Sequence, residues 1–386
     1  MIYLDHNATT PIDPRVRARI IEVLEDPRLQ GNPSSVHAWG QRARAVVERA
    51  RRSVARALGA EPLEVTFTSG GTEADNLALM GAARSLRARG EACGILTSPL
   101  EHPAVLAAAK ALAAEGGAVA FVAVDPRGRI TPEAVTEALR ERPEIGLVSL
   151  AAANHELGNA YDIPALVAAA RAVRPEILFH TDAVQAVGKI AVDFRAWDVD
   201  LLSLSGHKLY GPKGVGALLH RRHLRLEPLL RGGHQERGRR PGTEGTPQIA
   251  GLGLAVDLAV AELELRSAHV RGLQRRLRRG LEQIAGLRLY GDPEVSTGNT
   301  VSVGVPECEG QLVLINLDLA GIMVSTGSAC TAGTLEPSPA ILALGCSEEE
   351  GRSVLRVSLG KDSQEADVDA LLAALPGAIA RVRAEA

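Results

Sequence analysis

The stretch SGHKLYGPKG at residues 205–214 decides the fold and places a lysine in an unusual setting. The apolar runs before it at 199–204 and after it at 215–219 both predict buried strands. Lysine is almost never fully buried without a partner, so a lysine between two core strands indicates chemistry rather than solvation. Lys208 can lose its charge by forming a Schiff base with an aldehyde. The alternative is a surface turn that carries two lysines.

Strands and helices alternate through the chain before this stretch. The predicted helix at 36–58, capped by Ser34 or Ser35, is followed by strands at 65–68, 95–98, 118–124, 145–153 and 177–181 and by helices at 74–86, 103–114, 131–139 and 164–173. This alternation predicts an α/β domain with a mainly parallel sheet that is covered on both faces. Ligands in such sheets bind at the carboxyl ends of the strands.

The pattern changes after residue 219. Residues 227–245 are polar, basic and rich in glycine, which predicts a long loop, and a helical stretch with a break near His269 follows at 247–284. The remaining elements are predicted as strands at 300–305, 322–325 and 354–359 and helices at 310–319, 338–344 and from Glu365 onward. They indicate a second, smaller α+β unit, with a boundary near residue 260.

Composition narrows the class of protein. The chain has 386 residues and a formal net charge of −3, so global charge gives no case for nucleic acid or an anionic membrane. It has no run of about 18 apolar residues, and its first residues lack the pattern of a signal peptide. Its 4 cysteines form no C-x-x-C pair, which argues against structural zinc and favours a reducing, cytoplasmic setting.

Two loops that follow predicted strands carry candidate binding residues. Gly70, Gly71 and Thr72 precede a helix, so backbone N–H groups, a hydroxyl and the helix dipole can hold a phosphate. The alternative is an ordinary glycine turn capped by Thr72. His102 follows another strand and can stack on an aromatic cofactor or move protons, or it can simply cap the next helix.

A third loop places Asp182 directly after an apolar strand. A carboxylate at that depth needs a cationic partner, and the protonated pyridine nitrogen of pyridoxal phosphate would serve. Lys208 follows at the end of the next strand, which favours this reading over a strand-end cap. Ser205 and His207 beside Lys208, and Thr243 in the basic loop, are further candidate phosphate ligands.

Two residues in the C-terminal unit complete the candidate chemistry. Arg356 lies on a predicted strand and can pair bidentately with a substrate carboxylate, although a lone strand arginine is usually a surface charge. Cys330 lies in a run of Gly, Ser, Ala and Thr, where a thiol is expected to be exposed and mobile. Such a tether suits a nucleophile that reaches a buried substrate and then delivers its cargo outward, and the alternative is a tolerated surface thiol.

Together these motifs resemble the cysteine desulfurases of the NifS/IscS type, which are pyridoxal-phosphate enzymes related to the class V aminotransferases. The resemblance covers essentially the whole chain and is very specific in this order of motifs. It is carried by YLDHNATT (3–10), GNPSSVH (31–37), TSGGTE (68–73), EHPAV (101–105), HTDAVQAVGK (180–189), SGHK (205–208), LRGGHQERGRR (230–240), GSACT (327–331) and LEPS (335–338).

The resemblance implies a role for each candidate residue. Lys208 carries the cofactor and shuttles the Cα proton, and His102 stacks on the ring and assists proton transfer. Asp182 pairs with the ring nitrogen and Gln185 with the phenolic oxygen. The cofactor phosphate is held by Thr72, Ser205 and His207, with Gly71 and Gly206 in the same loops and Thr243 coming from a partner subunit. Arg356 binds the substrate carboxylate, and Cys330 takes the sulfur of L-cysteine as a persulfide, with transient contact to iron during transfer.

The resemblance also implies an architecture and partners. It predicts the type I fold of pyridoxal-phosphate transferases, with a seven-stranded mainly parallel sheet in a large domain at 16–260. A small α+β domain is predicted from residues 1–15 and 261–386. The expected assembly is a homodimer that passes sulfur to an acceptor or scaffold protein, without direct contact to nucleic acid or membrane.

Two positions depart from the family pattern. The family often has paired asparagines where this chain has Asn154 and His155, which are expected at the cofactor and substrate. His155 can still donate a hydrogen bond, but its charge would depend on pH. Pro339 stands where a histidine or aromatic residue is more familiar, and can stiffen the end of the cysteine loop.

Rival functions are a selenocysteine lyase, another class V enzyme such as a kynureninase-like enzyme or aminotransferase, and a scaffold for sulfur assembly that keeps the fold without catalysis. The selenocysteine lyase and the other class V enzymes would need no thiol on a mobile loop. Retention of both Lys208 and Cys330 speaks against a scaffold without catalysis.

Overall fold

The computed structural model describes residues 1–327 and 336–385, along which strands alternate with helices. The strands are β1 (Ile2–Tyr3), β2 (Val65–Thr68), β3 (Gly94–Thr97), β4 (Val119–Phe121), β5 (Ile145–Ser149), β6 (Leu178–Asp182), β7 (Leu201–Ser205), β8 (Gly216–His220), β9 (Arg288–Tyr290), β10 (Thr300–Gly304), β11 (Ile322–Met323), β12 (Ser325–Thr326) and β13 (Val354–Ser358). The α-helices are α1 (Pro14–Glu25), α2 (Ala38–Ala57), α3 (Gly71–Ala88), α4 (Pro103–Ala114), α5 (Pro132–Arg140), α6 (Ile163–Val173), α7 (Thr246–Ala261), α8 (Leu263–Leu281), α9 (Gly310–Leu319), α10 (Pro339–Ala343), α11 (Glu348–Arg352) and α12 (Glu365–Glu385).

A seven-stranded sheet forms the centre of the larger part, with strand order β2-β8-β7-β6-β5-β3-β4. The five strands from β7 to β4 in this order pair in parallel. Strand β8 runs antiparallel to both of its neighbours, β2 and β7. The predicted α/β class with a mainly parallel sheet is therefore confirmed. Because parallel strands share a direction, the loops after β3, β5, β6 and β7 meet at one edge.

Adjacent residues on each central strand bury their side chains on opposite faces of this sheet. Leu147 and Leu201 pack with α3 and α4 in one cluster, whereas Val148 and Leu202 pack with α2, α5, α6 and α7 in another. This two-sided burial explains why the strands read as nearly continuous apolar runs in the sequence.

The C-terminal part has its own sheet and core. Four antiparallel strands in the order β12-β13-β10-β9 pack with α8, α9 and α12 around a separate apolar cluster. Leu4 is buried in this cluster, and β1 pairs in parallel with β11. The N-terminal residues thus pack with the C-terminal part, while the domain limits 1–15, 16–260 and 261–386 stay a prediction.

Three details of the secondary structure differ from expectation. Helix α1 was not predicted, although Asp13 caps it and Pro14 occupies its first turn, because only two of its side chains, Val16 and Val23, are buried. The long helical stretch breaks at Glu262 and not near His269, whose Nε2 lies 2.8 Å from the Ser363 carbonyl within the packed part of α8. Helix α2 is capped by His37 rather than by a serine.

Among the residues that the structure describes, no helix is long and apolar enough to span a membrane.

Candidate active site

A cavity of about 360 Å³ lies at the edge where the parallel strands end. Its volume falls in the range of ligand and cofactor pockets. Residues from seven separate segments line it: Asn7, Ala8, Gly71, Thr72, Asp75, Leu100, His102, Ala151, Ala153, Asn154, His155, Asp182, Val184, Gln185, Ser205, His207, Lys208 and Arg356. Most of the site residues predicted from the sequence therefore come together here, including Lys208, Asp182 and Arg356.

Lys208 enters the cavity from a single 3₁₀ turn, Gly206–Lys208, that directly follows β7. Its Nζ donates to the carbonyl oxygens of Asn7 at 2.6 Å and Ala8 at 2.8 Å. Gly206 permits the turn, because a Cβ at this position would lie 2.8 Å from the carbonyl oxygen of Pro212. Neutral carbonyls thus hold the lysine at the cavity, and Lys208 does not belong to an ordinary surface turn.

A phosphate-sized cradle lies beside this lysine. The N-terminus of α3 at Gly71 and Thr72 faces the same cavity as Ser205, whose Oγ is buried without a hydrogen-bond partner among the described residues. His207 Nδ1 lies 3.2 Å from Thr9 Oγ1. A helix N-terminus with an unused hydroxyl fits an anion such as a cofactor phosphate. Thr243 is exposed and does not line this cavity, so its assignment to a partner subunit's site stays a prediction.

Two buried carboxyl groups lie in the cavity wall. Burial raises the pKa of Asp182 to about 6, although its Oδ1 accepts a hydrogen bond from the Val184 N–H at 2.8 Å. Asp75, on α3, is also buried, and burial and the neighbouring Asp182 raise its pKa well above the usual value. Asp75 Oδ1 has no hydrogen-bond partner among the described residues. Such a pair favours a cationic ligand, so the cavity fits a protonated pyridine nitrogen.

His102 serves as a helix cap and a cavity residue at once. Its Nδ1 accepts a hydrogen bond from the Ala104 N–H at 3.1 Å, so a neutral His102 carries its proton on Nε2. Burial lowers the pKa of His102 to about 4, and the Lys208 cation acts in the same direction. The ring is therefore neutral near pH 7 and can stack on an aromatic cofactor. His102 thus caps α4, as one sequence reading expected, and lines the cavity, while its role toward a cofactor stays a prediction.

One of the two departures from the family pattern, at Asn154 and His155, lies in the turn after β5, whereas Pro339 begins α10. Asn154 Nδ2 donates to the Leu100 carbonyl at 2.7 Å, and its Oδ1 accepts from the Glu156 and Leu157 N–H groups. Its polar atoms therefore organise the turn beneath the cavity. The His155 ring packs edge-on to His102 with centroids 5.3 Å apart, and burial lowers the pKa of His155 well below its usual value. His155 is therefore a neutral group near pH 7.

Arg356 is a buried cavity residue and not a surface charge. It is 2 % exposed, and its Nη2 donates to Asp5 Oδ1 at 2.9 Å. Its Nε has no hydrogen-bond partner among the described residues, although it is buried. The guanidinium thus keeps an unused donor next to the cavity, which suits a carboxylate ligand.

Comparison with known proteins identifies the family. The family model for aminotransferase class-V matches residues 2–371. The chain belongs to the class-V aminotransferase family. Enzymes of this family use pyridoxal phosphate, and the cavity described above joins a lysine, a buried aspartate and a helix N-terminus.

Within this family the chain is similar to proteins named cysteine desulfurase. It is 43% identical over 385 residues to the cysteine desulfurase of Gluconacetobacter diazotrophicus, covering 99% of this chain and 94% of that protein. The structure of a NifS-like protein superposes with a TM-score of 0.91 and 36% identity, covering 98% of this chain and 99% of the other. A structure of SspA in complex with cysteine has a TM-score of 0.78 and 33% identity, covering 94% of this chain and 100% of the other. The predicted type I fold is thereby confirmed.

Three polar residues of this class-V site were not assigned a role from the sequence: Asn7, Asp75 and Lys189. Asn7 belongs to a quoted motif, but its contacts reach residues about 150 to 350 positions away in the chain. Asp75 could have been found from helix periodicity, because it lies one turn after Gly71 on α3. Lys189 was only part of a matched motif.

Cys330 lies outside the described residues, so its expected exposure and mobility stay predictions. The residues that flank this segment are described, and both contact Glu156. Ser338 Oγ donates to Glu156 Oε2 at 2.5 Å, and a Cβ on Gly327 would lie 2.6 Å from the same oxygen. Gly327 and Ser338 thus lie beside Glu156, whose Oε1 is 3.5 Å from His155 Nε2 at the cavity. The other cysteines, Cys93, Cys308 and Cys346, pack against apolar clusters.

The burial of Glu156 predicts a pH-dependent stability. Burial raises the pKa of Glu156 from 4.5 to about 7, so the folded protein holds a proton that the unfolded chain releases. This contribution to stability is complete below about pH 4.5 and is lost as the pH rises through about 7. Relative to the wild type, Glu156→Gln should gain roughly 2 kcal/mol in unfolding free energy between about pH 5.5 and about pH 8.

Urea unfolding at the two pH values measures this gain. Glu137→Gln, at an exposed position on α5, is the matched control and should show no pH-dependent difference from the wild type. Equal differences between Glu156→Gln and the wild type at both pH values would contradict the raised pKa.

Proposed function

We propose that this protein is a pyridoxal-phosphate-dependent cysteine desulfurase, which converts L-cysteine to L-alanine and leaves the sulfur as a persulfide on Cys330. The observation that carries the proposal is the cavity that joins Lys208, Asp182 and Arg356 while both flanks of the Cys330 segment contact Glu156 beside it. The relatives named cysteine desulfurase, and the similar structure that contains cysteine, support the same reaction.

The residues present fit the cofactor. Asp182 would hold its ring nitrogen and Gln185 its phenolic oxygen, while His102 would stack on the ring. The cavity residues that would hold the phosphate are Gly71, Thr72, Ser205 and His207, joined by Thr243 of a partner subunit. When bound, pyridoxal phosphate supplies an electron sink that acidifies the substrate Cα and weakens the bond to sulfur.

The residues of this chain then perform the remaining steps. Arg356 binds the substrate carboxylate, and Lys208 Nζ removes the Cα proton and returns protons to carbon. The Cys330 thiolate attacks the substrate sulfur, so that an S–S bond forms as the C–S bond breaks and the electron pair remains with the carbon. Protonation of that carbon gives L-alanine, and an acceptor thiol takes the outer sulfur from the persulfide. The balanced reaction therefore converts L-cysteine and one enzyme thiol to L-alanine and one enzyme persulfide.

The cellular setting and partners follow from this chemistry. The acceptor is a thiol of a sulfur-accepting or scaffold protein, and the enzyme is a homodimer if Thr243 completes the partner's site. Cys330 would contact iron only transiently during delivery to a cluster. The three described cysteines form no disulfide, consistent with a reducing cytoplasmic setting.

Arg356 is expected to control substrate affinity. A lysine cannot reproduce the bidentate geometry of the guanidinium, so Arg356→Lys should raise the KM for L-cysteine about tenfold or more. Steady-state kinetics with L-cysteine measure the change. Arg288→Lys is the matched control, because Arg288 is an exposed arginine on β9 of the same sheet. An unchanged KM in Arg356→Lys would show that another group binds the carboxylate.

The proposed reaction is tested by substrate choice. The full-length protein loaded with pyridoxal phosphate should form L-alanine and sulfide from L-cysteine under reductant, at rates that depend on Cys330. Parallel assays use L-selenocysteine, kynurenine and an amino-donor with a keto acid. A protein that processes L-selenocysteine or the other substrates but forms no alanine from L-cysteine is not a cysteine desulfurase.

A further inference from the structure

Lys189 is a second lysine beside the cavity, and no step described so far uses it. It lies seven residues after the end of β6, and it is half-buried. Its Nζ donates to the side-chain oxygen of Gln185 and, at 3.0 Å, to that of Asn7. Gln185 lines the cavity and is 5% exposed. Lys189 therefore does not line the cavity itself but contacts Gln185, which does.

The contact of Lys189 with Gln185 fixes the orientation of the Gln185 amide. A lysine ammonium has only donors, so the amide oxygen must face Lys189 and the amide nitrogen must face the other way. Gln185 Nε2 donates one hydrogen to the Asn7 carbonyl at 3.0 Å. An amide nitrogen has two hydrogens, and no hydrogen bond among the described residues uses the second. Gln185 thus keeps one N–H for a ligand in the cavity.

Asn7 is oriented in the same way. Its Oδ1 accepts from Lys189 and, at 2.9 Å, from Asn299, which leaves its Nδ2 to donate to Thr300 Oγ1 and the His155 carbonyl. The Asn7 carbonyl accepts from both Gln185 and Lys208. Lys189 therefore sets the direction of two amides that connect the N-terminal segment to the lysine of the cavity.

The charges around Lys189 point to an anionic ligand. Lys208 and Arg356 face it, and with burial, which is the larger cause, they lower the pKa of Lys189 well below its usual value. Burial lowers the pKa of His6 to about 4, and the positive charge of Lys189 acts in the same direction. The ion pairs within residues 1–327 and 336–385 include no carboxylate partner for Lys189. An anionic oxygen bound at Gln185 would relieve this clustering of cations.

We propose that Lys189 is a positioning residue, which holds the Gln185 side-chain oxygen so that Gln185 Nε2 donates to the anionic ring oxygen of bound pyridoxal phosphate. The inference rests on the proposed function only through the cofactor and does not depend on the sulfur chemistry.

Cofactor affinity and spectrum test this role without an activity assay. Pyridoxal phosphate is titrated onto the full-length apoprotein of the wild type, Lys189→Met, Gln185→Met and the double variant, and the visible absorbance gives the Kd. Losing one charge-supported hydrogen bond should weaken binding about tenfold in each single variant and shift the absorbance band. The double variant should bind no more weakly than either single variant, because both changes remove the same interaction.

Two controls separate positioning from folding. Lys110→Met changes an exposed lysine on α4 and should bind like the wild type. Lys189→Arg keeps the donors and should restore most of the affinity and the wild-type band. If Lys189→Met does not fold, Gln185→Glu serves instead, because it gives Lys189 a counter-ion and removes the N–H donor. That variant should weaken cofactor binding about tenfold.

The outcomes are distinct. Wild-type affinity and spectrum in Lys189→Met, additive losses in the double variant, or undiminished binding in Gln185→Glu would each overturn the positioning role. A wild type that gives no absorbance change with pyridoxal phosphate would instead overturn the proposed cofactor, and the proposed function with it.

Discussion

Replacing Lys208 with alanine is expected to lower the rate of alanine formation from L-cysteine by about 10³-fold, the loss typical of a positioned proton-transfer group. The carbonyls of Asn7 and Ala8 hold its Nζ at the cavity, and the His207 and Asp182 side chains line the same cavity. No other residue of the described chain offers an amine in this cavity. The variant should also lose the visible absorbance that the wild type shows with pyridoxal phosphate.

The matched control is Lys213→Ala, which changes an exposed lysine in the same loop. It should keep wild-type activity and absorbance, so that a loss in Lys208→Ala reports the lysine and not the loop. Near-normal alanine formation by Lys208→Ala, with cofactor bound, would contradict the role assigned to this residue.

Replacing Cys330 with alanine is expected to abolish persulfide formation and to slow the release of sulfur from L-cysteine by at least about 10²-fold. The reason is that the thiolate supplies the nucleophile for the C–S cleavage. Cofactor binding should remain at the wild-type level, because the change removes a nucleophile and leaves the cavity residues intact. Sulfide and alanine are measured together under reductant.

Cys346→Ala is the control for this variant. Burial raises the pKa of the Cys346 thiol, which therefore stays protonated and unreactive, and its loss should leave turnover unchanged. Sulfide release from L-cysteine at the normal rate by Cys330→Ala would show that the enzyme acts as a simple lyase rather than through a persulfide.

The larger sheet and the loops at its edge followed from local sequence patterns. Buried strands such as β5 and β7 carry apolar side chains on both faces, so their sequence signal is continuous and strong. Asp182 is the last residue of β6 and Lys208 ends the turn after β7, and parallel strands bring their ends together. For these residues, the position in the chain was enough to predict a place in the site.

The parts that could not be predicted depend on contacts between distant residues. Lys208 is held by carbonyls some 200 positions earlier, and Arg356 is paired with Asp5 across 351 positions. No local pattern shows which backbone groups will close a cavity from another segment. Helix α1 was missed for a local reason. It contains several arginines and buries only two side chains, so its apolar periodicity is weak. The predicted role of Thr243 requires a second subunit, so a single chain does not test it.

The site chemistry was also only partly visible in the sequence. The residue type indicated that the charge of His155 would depend on pH, whereas burial, with smaller contributions from His102 and Arg356, lowers its pKa well below the usual value. Burial likewise raises the pKa of Asp75, a residue on α3 that was not assigned a role from the sequence. Desolvation is a property of the folded surroundings, so these shifts follow from the structure alone.

The central claim is that sulfur from L-cysteine passes to Cys330. The direct measurement is mass spectrometry of peptides from the loaded full-length protein after exposure to one equivalent of L-cysteine without reductant, with alanine measured in the same sample. The account predicts that the Cys330 peptide gains one sulfur atom in proportion to the alanine formed, and that the gain is removed by reductant. Alanine formation with no added sulfur on the Cys330 peptide would contradict it.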